Sequence, residues 1–117
     1  MTNTKTYDLE ERTFRFTKDI IIFTNSLPKT TANTEIVKQV IRSSGSIGAN
    51  YIEANEALGK KDFAMRIRIC RKEAKETIYW LRLIETNDDS LEPKRAVYVN
   101  EGTELMKIFA AILLKCE

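Results

Sequence analysis

Between Val37 and Ile84, small and apolar side chains recur at alternating intervals of three and four residues, with one short break. Upstream of the break, Val37, Val40, Ser44, Ile47, Tyr51, Ala54 and Leu58 are spaced 3, 4, 3, 4, 3, 4. Downstream, Phe63, Ile67, Cys70, Ala74, Thr77, Leu81 and Ile84 are spaced 4, 3, 4, 3, 4, 3. Such a period puts each set on one face of an α-helix; a strand, whose faces alternate every two residues, cannot use it. Two long helices packed along their length, crossing at about 20°, are the expected result.

The flanks extend the pattern. Leu9, Phe16, Ile20, Phe23 and Leu27 form a stripe that predicts a first helix over 8–26, stopped ahead of Pro28. The second helix is expected over 34–58, with Asn33 or Thr34 as its cap and Gly59 at its end. The third is expected over 60–86, followed by the turn Asn87-Asp88-Asp89-Ser90, whose side chains bond their own backbone. Tyr98, Gly102, Leu105, Phe109, Ile112 and Cys116 place a fourth over 92–116, with Ser90 as cap and Pro93 in the first turn. Only four glycines and two prolines interrupt 117 residues. The expectation is one all-α domain over 1–117, an antiparallel up-down-up-down four-helix bundle, because short loops lay sequential helices side by side.

Several functions are excluded early. The apolar run Ile20-Ile21-Ile22-Phe23 is far shorter than the roughly 20 residues a membrane span needs, and no signal-peptide pattern precedes it. A cytoplasmic protein with no membrane partner is expected. The chain has no histidine, which removes Ser-His-Asp and Cys-His triads, the Glu-x-x-His di-iron bundle site and histidine-containing zinc sites. Two distant cysteines, Cys70 and Cys116, cannot make a four-cysteine site and read as reduced thiols. No metal, cofactor or catalytic residue is expected.

Helix 2 breaks a local rule. Gly45 and Gly48 each cost a helix interior about 1 kcal/mol relative to alanine, so something is expected to approach closely there. Close helix packing is the leading reading and a ligand-facing patch the other. Helices 1 and 4 carry more apolar surface than one seam needs: Phe14, Ile21 and Ile22 on the first, Met106, Ile108, Leu113 and Leu114 on the fourth. That excess points to self-association or a protein partner.

Two polar groupings stand out. Glu73 and Glu76 border the third helix's seam, and Asn50 and Glu53 are similarly spaced on the second. An acid–base pair or an oxygen-ligand metal site is one use of such carboxylates. A hydrogen-bonded network fixing the bundle's register, with Arg42, Arg71 or Lys75 as counter-charge, is the stronger one. The second grouping is charge. Lys60 to Arg82 holds eight basic and three acidic residues, a net of +5, leaving −3 for the remainder of a chain of net +2. Arg68, Lys72, Lys75, Tyr79 and Arg82 recur at helical spacing as an outward ridge, with Arg71 beside it. Such a ridge suits phosphates of RNA or DNA; the alternative is an ordinary solvated face.

Ser46-Ile47-Gly48-Ala49-Asn50-Tyr51-Ile52-Glu53-Ala54, Lys61-Asp62-Phe63 and Lys72-Glu73-Ala74-Lys75-Glu76-Thr77 with Tyr79-Trp80-Leu81-Arg82-Leu83 resemble the bacterial rRNA intervening-sequence protein family. The resemblance runs over roughly residues 9–115. It implies a four-helix bundle assembled as a ring-like homopentamer with no established enzymatic activity. A related branch, the accessory variability proteins of diversity-generating retroelements, binds nucleic acid and a reverse transcriptase through a basic pentameric barrel. The matching positions here are the arginines and lysines of helix 3.

The leading expectation is therefore a non-enzymatic homo-oligomeric module binding structured RNA or another nucleic acid through Arg68, Arg71, Lys72, Lys75 and Arg82. A protein-binding adaptor using the spare faces of helices 1 and 4 competes with it. An enzyme built on Glu73 and Glu76 is the weakest reading.

Overall fold

A computed structural model describes residues 5–116, with side chains from Leu9 onward. Among these residues there are four α-helices and no strand: α1 (Lys5–Thr24), α2 (Thr31–Asn55), α3 (Lys60–Leu83) and α4 (Glu92–Lys115). The apolar periodicities converge on one core. Phe16, Ile20 and Phe23 from α1 meet Val40, Ile47, Tyr51 and Ala54 from α2, Ile67, Cys70 and Leu81 from α3, and Leu105 and Phe109 from α4. The Tyr51 and Phe109 rings pack tilted at 6.0 Å and Phe23 and Tyr98 at 5.2 Å, geometries that aromatic quadrupoles favour. α3 lies between α2 and α4 and packs extensively on both, whereas α1 rests on α2 and meets α4 at few points.

Contacts between helix ends are compatible with the up-down order expected from the loops. Asn55 at the end of α2 donates to Glu10 near the start of α1 at 2.8 Å. Arg95 at the start of α4 donates to the Ile84 carbonyl just after α3. Arg12 of α1 and Glu101 of α4 form a two-pronged ion pair at 2.6 and 2.9 Å.

The helix ends differ from expectation. α2 starts a turn early: Thr30, in extended conformation, is the cap, and its hydroxyl accepts the Asn33 N–H at 3.0 Å. Asn33 is buried instead. Its amide donates to the carbonyls of Pro28 at 3.0 Å and Glu85 at 2.8 Å, and its side-chain oxygen accepts the Glu85 N–H at 3.0 Å. That capture draws Glu85 out of the helical ladder, so α3 stops at Leu83 rather than Thr86. α2 ends at Asn55, which leaves Leu58, the last position of its heptad run, fully exposed. Ser90 does not cap α4, because its N–H and hydroxyl both turn back to Asp88, at 2.9 and 2.8 Å. Leu91 holds the cap position, Pro93 lies in the first turn as expected, and Thr86 donates to Glu92 across the loop.

The two glycines of α2 divide. A Cβ on Gly48 would lie 3.2 Å from Thr13 Oγ1, so α1 does pack closely there. On Gly45 it would meet only Thr17 Cγ2, at 4.0 Å. Gly45→Ala is therefore expected to raise unfolding free energy by about 0.5–1 kcal/mol through helix propensity. Gly48→Ala gains no net stability, because Thr13 is held by bonds to the Leu9 and Glu10 carbonyls and must give way. Urea unfolding of the two variants side by side distinguishes these outcomes.

Candidate nucleic-acid interface

α3 is amphipathic in two senses. Its apolar seam faces α2 and α4, and its opposite face carries the charge. Arg68, Lys72, Lys75, Tyr79 and Arg82 are all exposed, with Arg71 exposed alongside. From residue 68 to 82 the ridge rises about 21 Å along the helix axis. Among the described residues, none of its five cations forms an ion pair. Arg12, Arg15, Lys38, Arg42 and Arg95, by contrast, all have carboxylate partners.

The reason lies in where the two glutamates of α3 point. Glu73 is 7% exposed and Glu76 half-buried, and both turn toward α2. Arg42 reaches across, its Nη1 3.4 Å from Glu73 and its Nη2 2.8 Å from Glu76. Burial pushes the Glu73 carboxyl up, hydrogen bonding to Glu76 pushes it further, and Arg42 and Lys72 pull it back. The hydrogen bond from Arg42 holds Glu76 below the usual carboxylate range. Arg42 is itself raised, first by its bond to Glu76. Beside them Thr77 Oγ1 lies 2.8 Å from both Ser43 Oγ and the Glu73 carbonyl, so buried hydroxyls continue the α2–α3 seam.

The four residues read from sequence as one polar network thus separate. Glu73 and Glu76 share Arg42. Asn50 belongs to another group, accepting from Arg66 at 3.0 Å and donating to the Ser46 carbonyl and hydroxyl at 2.9 and 3.0 Å. Glu53 is exposed and joins neither. Arg71 and Lys75, weighed as counter-charges, stay on the outer face. Among the described residues there is no group of three or more Cys, Asp or Glu side chains placed to hold a metal ion. Both thiols are free, and burial pushes that of Cys70 up to about 12.

The apolar excess is also redistributed. On α4, Leu113 is buried and Met106 and Ile108 pack against the core, leaving Leu114 and Val97 exposed. α4 meets both α3 and α1, so it needs a wider apolar band than a single seam provides. On α1 the excess remains: Phe14, Ile21 and Ile22 are exposed. Phe14 and Ile21 line a shallow groove of about 300 Å³ against Gly45, Gly48 and Ile52 of α2. Among the described residues, no helix is long and apolar enough to cross a membrane. The Arg12–Glu101 pair and the Asn33 clamp went unread in the sequence, since their partners lie 89 and 52 residues apart and follow no helical period.

A sequence model of the 23S rRNA-intervening sequence protein family matches residues 5–110. The chain belongs to this family. A crystal structure of a protein with unknown function from the S23 ribosomal protein family, from Bacteroides thetaiotaomicron VPI-5482, superposes with a TM-score of 0.81. It is 30% identical, and the match covers 94% of this chain and 98% of that one. No curated protein matches the sequence. The 23S rRNA-intervening sequence family match takes in all of α1 to α3 and most of α4, and so includes every residue of the ridge.

Proposed function

We propose that the chain is a non-enzymatic, cytoplasmic, homo-oligomeric module, an up-down-up-down bundle that binds structured RNA or another nucleic acid through α3. The observation that carries this reading is the row of cations on α3 left without carboxylate partners among the described residues while Glu73 and Glu76 of the same helix are drawn to Arg42. Unpaired cations at regular spacing on a rigid element release counterions when they meet phosphates. The ring-like homopentamer implied by the family resemblance would repeat the ridge around one assembly and multiply its field. The apolar side chains left exposed on α1 supply material for contacts between copies.

The test is a titration of nuclease-treated protein against labelled structured RNA at two salt concentrations, with the variant Arg68→Glu/Lys72→Glu/Lys75→Glu alongside. Wild-type binding is expected to weaken steeply with salt. The variant is expected to lose at least about 100-fold in affinity and about 2–3 from the salt slope, one step per phosphate contact removed. Its helical circular dichroism should be unchanged, because the three side chains are exposed and have no ion-pair partner among the described residues. Survival of binding in the variant excludes this surface.

The groove between α1 and α2 favours a second reading, a protein-binding adaptor. It predicts a co-purifying protein lost on Phe14→Ser, and no salt-dependent affinity for nucleic acid.

A further inference from the structure

Tyr79 is the aromatic member of the cationic ridge, and its side chain stands in solvent, 59% exposed. Its ring meets the ring of Trp80 edge-on, centroids 5.1 Å apart and planes at 76°, and Trp80 packs against the core. A tyrosine has only two soft side-chain torsions, and an edge contact with an anchored neighbour restricts them, so little entropy remains to be lost on binding. Lys75 and Arg82, one turn to either side on the same face, are exposed and without ion pairs among the described residues. Glu76 is the acid within a turn of the ring, and its carboxylate is engaged by Arg42 at 2.8 Å. Leu83, the next residue along that flank, is 45% exposed and extends the apolar surface.

A flat π-face between two free cations is poorly matched to a duplex. A-form RNA presents phosphates and a deep, narrow major groove that side chains cannot read, so the ring would have no partner. An unpaired base with a phosphate on each side satisfies ring and cations together. We infer that α3 holds an unpaired nucleobase stacked on Tyr79, with Lys75 and Arg82 on the flanking phosphates. The ligand is single-stranded or looped nucleic acid. This rests on the reading of α3 as a nucleic-acid face and narrows its ligand.

The full chain, its Tyr79→Ala variant and its Tyr79→Phe variant are titrated at low salt with single-stranded RNA, single-stranded DNA and blunt duplex RNA of equal length. Binding is read by polarisation of the labelled strand and by emission of Trp80, the sole tryptophan. Wild type is expected to prefer the single strands. Tyr79→Ala should weaken them about 5- to 150-fold and leave duplex binding unchanged, while Tyr79→Phe, which keeps the ring, stays within about twofold of wild type. Single strands, not duplex, should change Trp80 emission. Comparable affinity for the RNA and DNA strands supports stacking, since both offer the same base face. Binding of single strands by Tyr79→Ala as tight as wild type, or wild-type affinity for duplex equal to that for single strands, overturns the inference and leaves a phosphate-only ridge. Failure of every nucleic acid to bind at low salt overturns the parent reading as well.

Discussion

Replacing Asn33 with leucine is expected to lower the free energy of unfolding by about 3–5 kcal/mol, an unusually large loss for a residue outside the apolar core. Leucine branches at the same carbon and is bulkier than asparagine, so the loss is not a cavity effect, and crowding of the site adds to it. Asn33 is 1% exposed, and its amide satisfies three backbone groups at once: the Pro28 carbonyl and both the carbonyl and the N–H of Glu85. Leucine leaves those three groups facing a hydrocarbon, at about 1–3 kcal/mol for each that water cannot reach. Asn33→Asp is expected to do as badly at neutral pH, since it loses both donors and sets a carboxylate against two carbonyls. Urea unfolding followed by circular dichroism measures both. A loss below about 1 kcal/mol in Asn33→Leu would mean that water replaces the amide and that the α1–α2 loop is held to the end of α3 by other contacts.

Asn33 also shows where sequence reading stops. Its position before a helical run suggested a cap, because asparagine is a good cap and its local neighbours fit. The residue that decides its role, Glu85, is 52 positions away. The same limit explains Leu58, which continues a heptad on paper but lies beyond the point where α2 unwinds. Core positions such as Ile47, Ile67 and Phe109 were legible because burial on a long helix follows the helix's own period. The ridge was legible for the same reason: once α3 is a helix with its seam inward, Arg68, Lys72, Lys75 and Arg82 have only the outer face to occupy. The pairing of Arg42 with Glu73 and Glu76 needed more. It depends on the register of α2 against α3, which the heptads leave free to slip by a turn. On α4, the apparent spare surface of Met106, Ile108 and Leu113 depended on how many neighbours that helix has, which its own sequence does not state.

Reversing Arg42 to glutamate is expected to cost about 2–3 kcal/mol at neutral pH, and most of that loss should disappear near pH 4. A charge removed from beside a buried partner leaves that partner uncompensated, a cost reduced here because Arg42 is itself half exposed. The two wild-type carboxyls pull in opposite directions. Glu73 has a raised folded pKa, so its contribution to stability is present while it is protonated and is lost as pH rises through that value. Glu76 has a lowered one, so its contribution is present above the ordinary carboxylate range and is lost as pH falls through the lowered value. Glu73→Gln is therefore expected to hold or raise stability at pH 7, and Glu76→Gln to lower it by less than about 1 kcal/mol, because that side chain is 40% exposed. Glutamate at position 42 removes the counter-charge, gathers three carboxyls on the α2–α3 seam and drives them all toward the protonated form. Chemical unfolding at pH 7 and pH 4 reads the difference; equal losses at both would mean that Arg42 contributes packing rather than charge. The same substitution frees Glu76 within one helical turn of Tyr79 and Lys75. It should thus weaken any polyanion bound at neutral pH without altering a single residue of the ridge, which ties the inner ion pair to the outer face it keeps clear of negative charge.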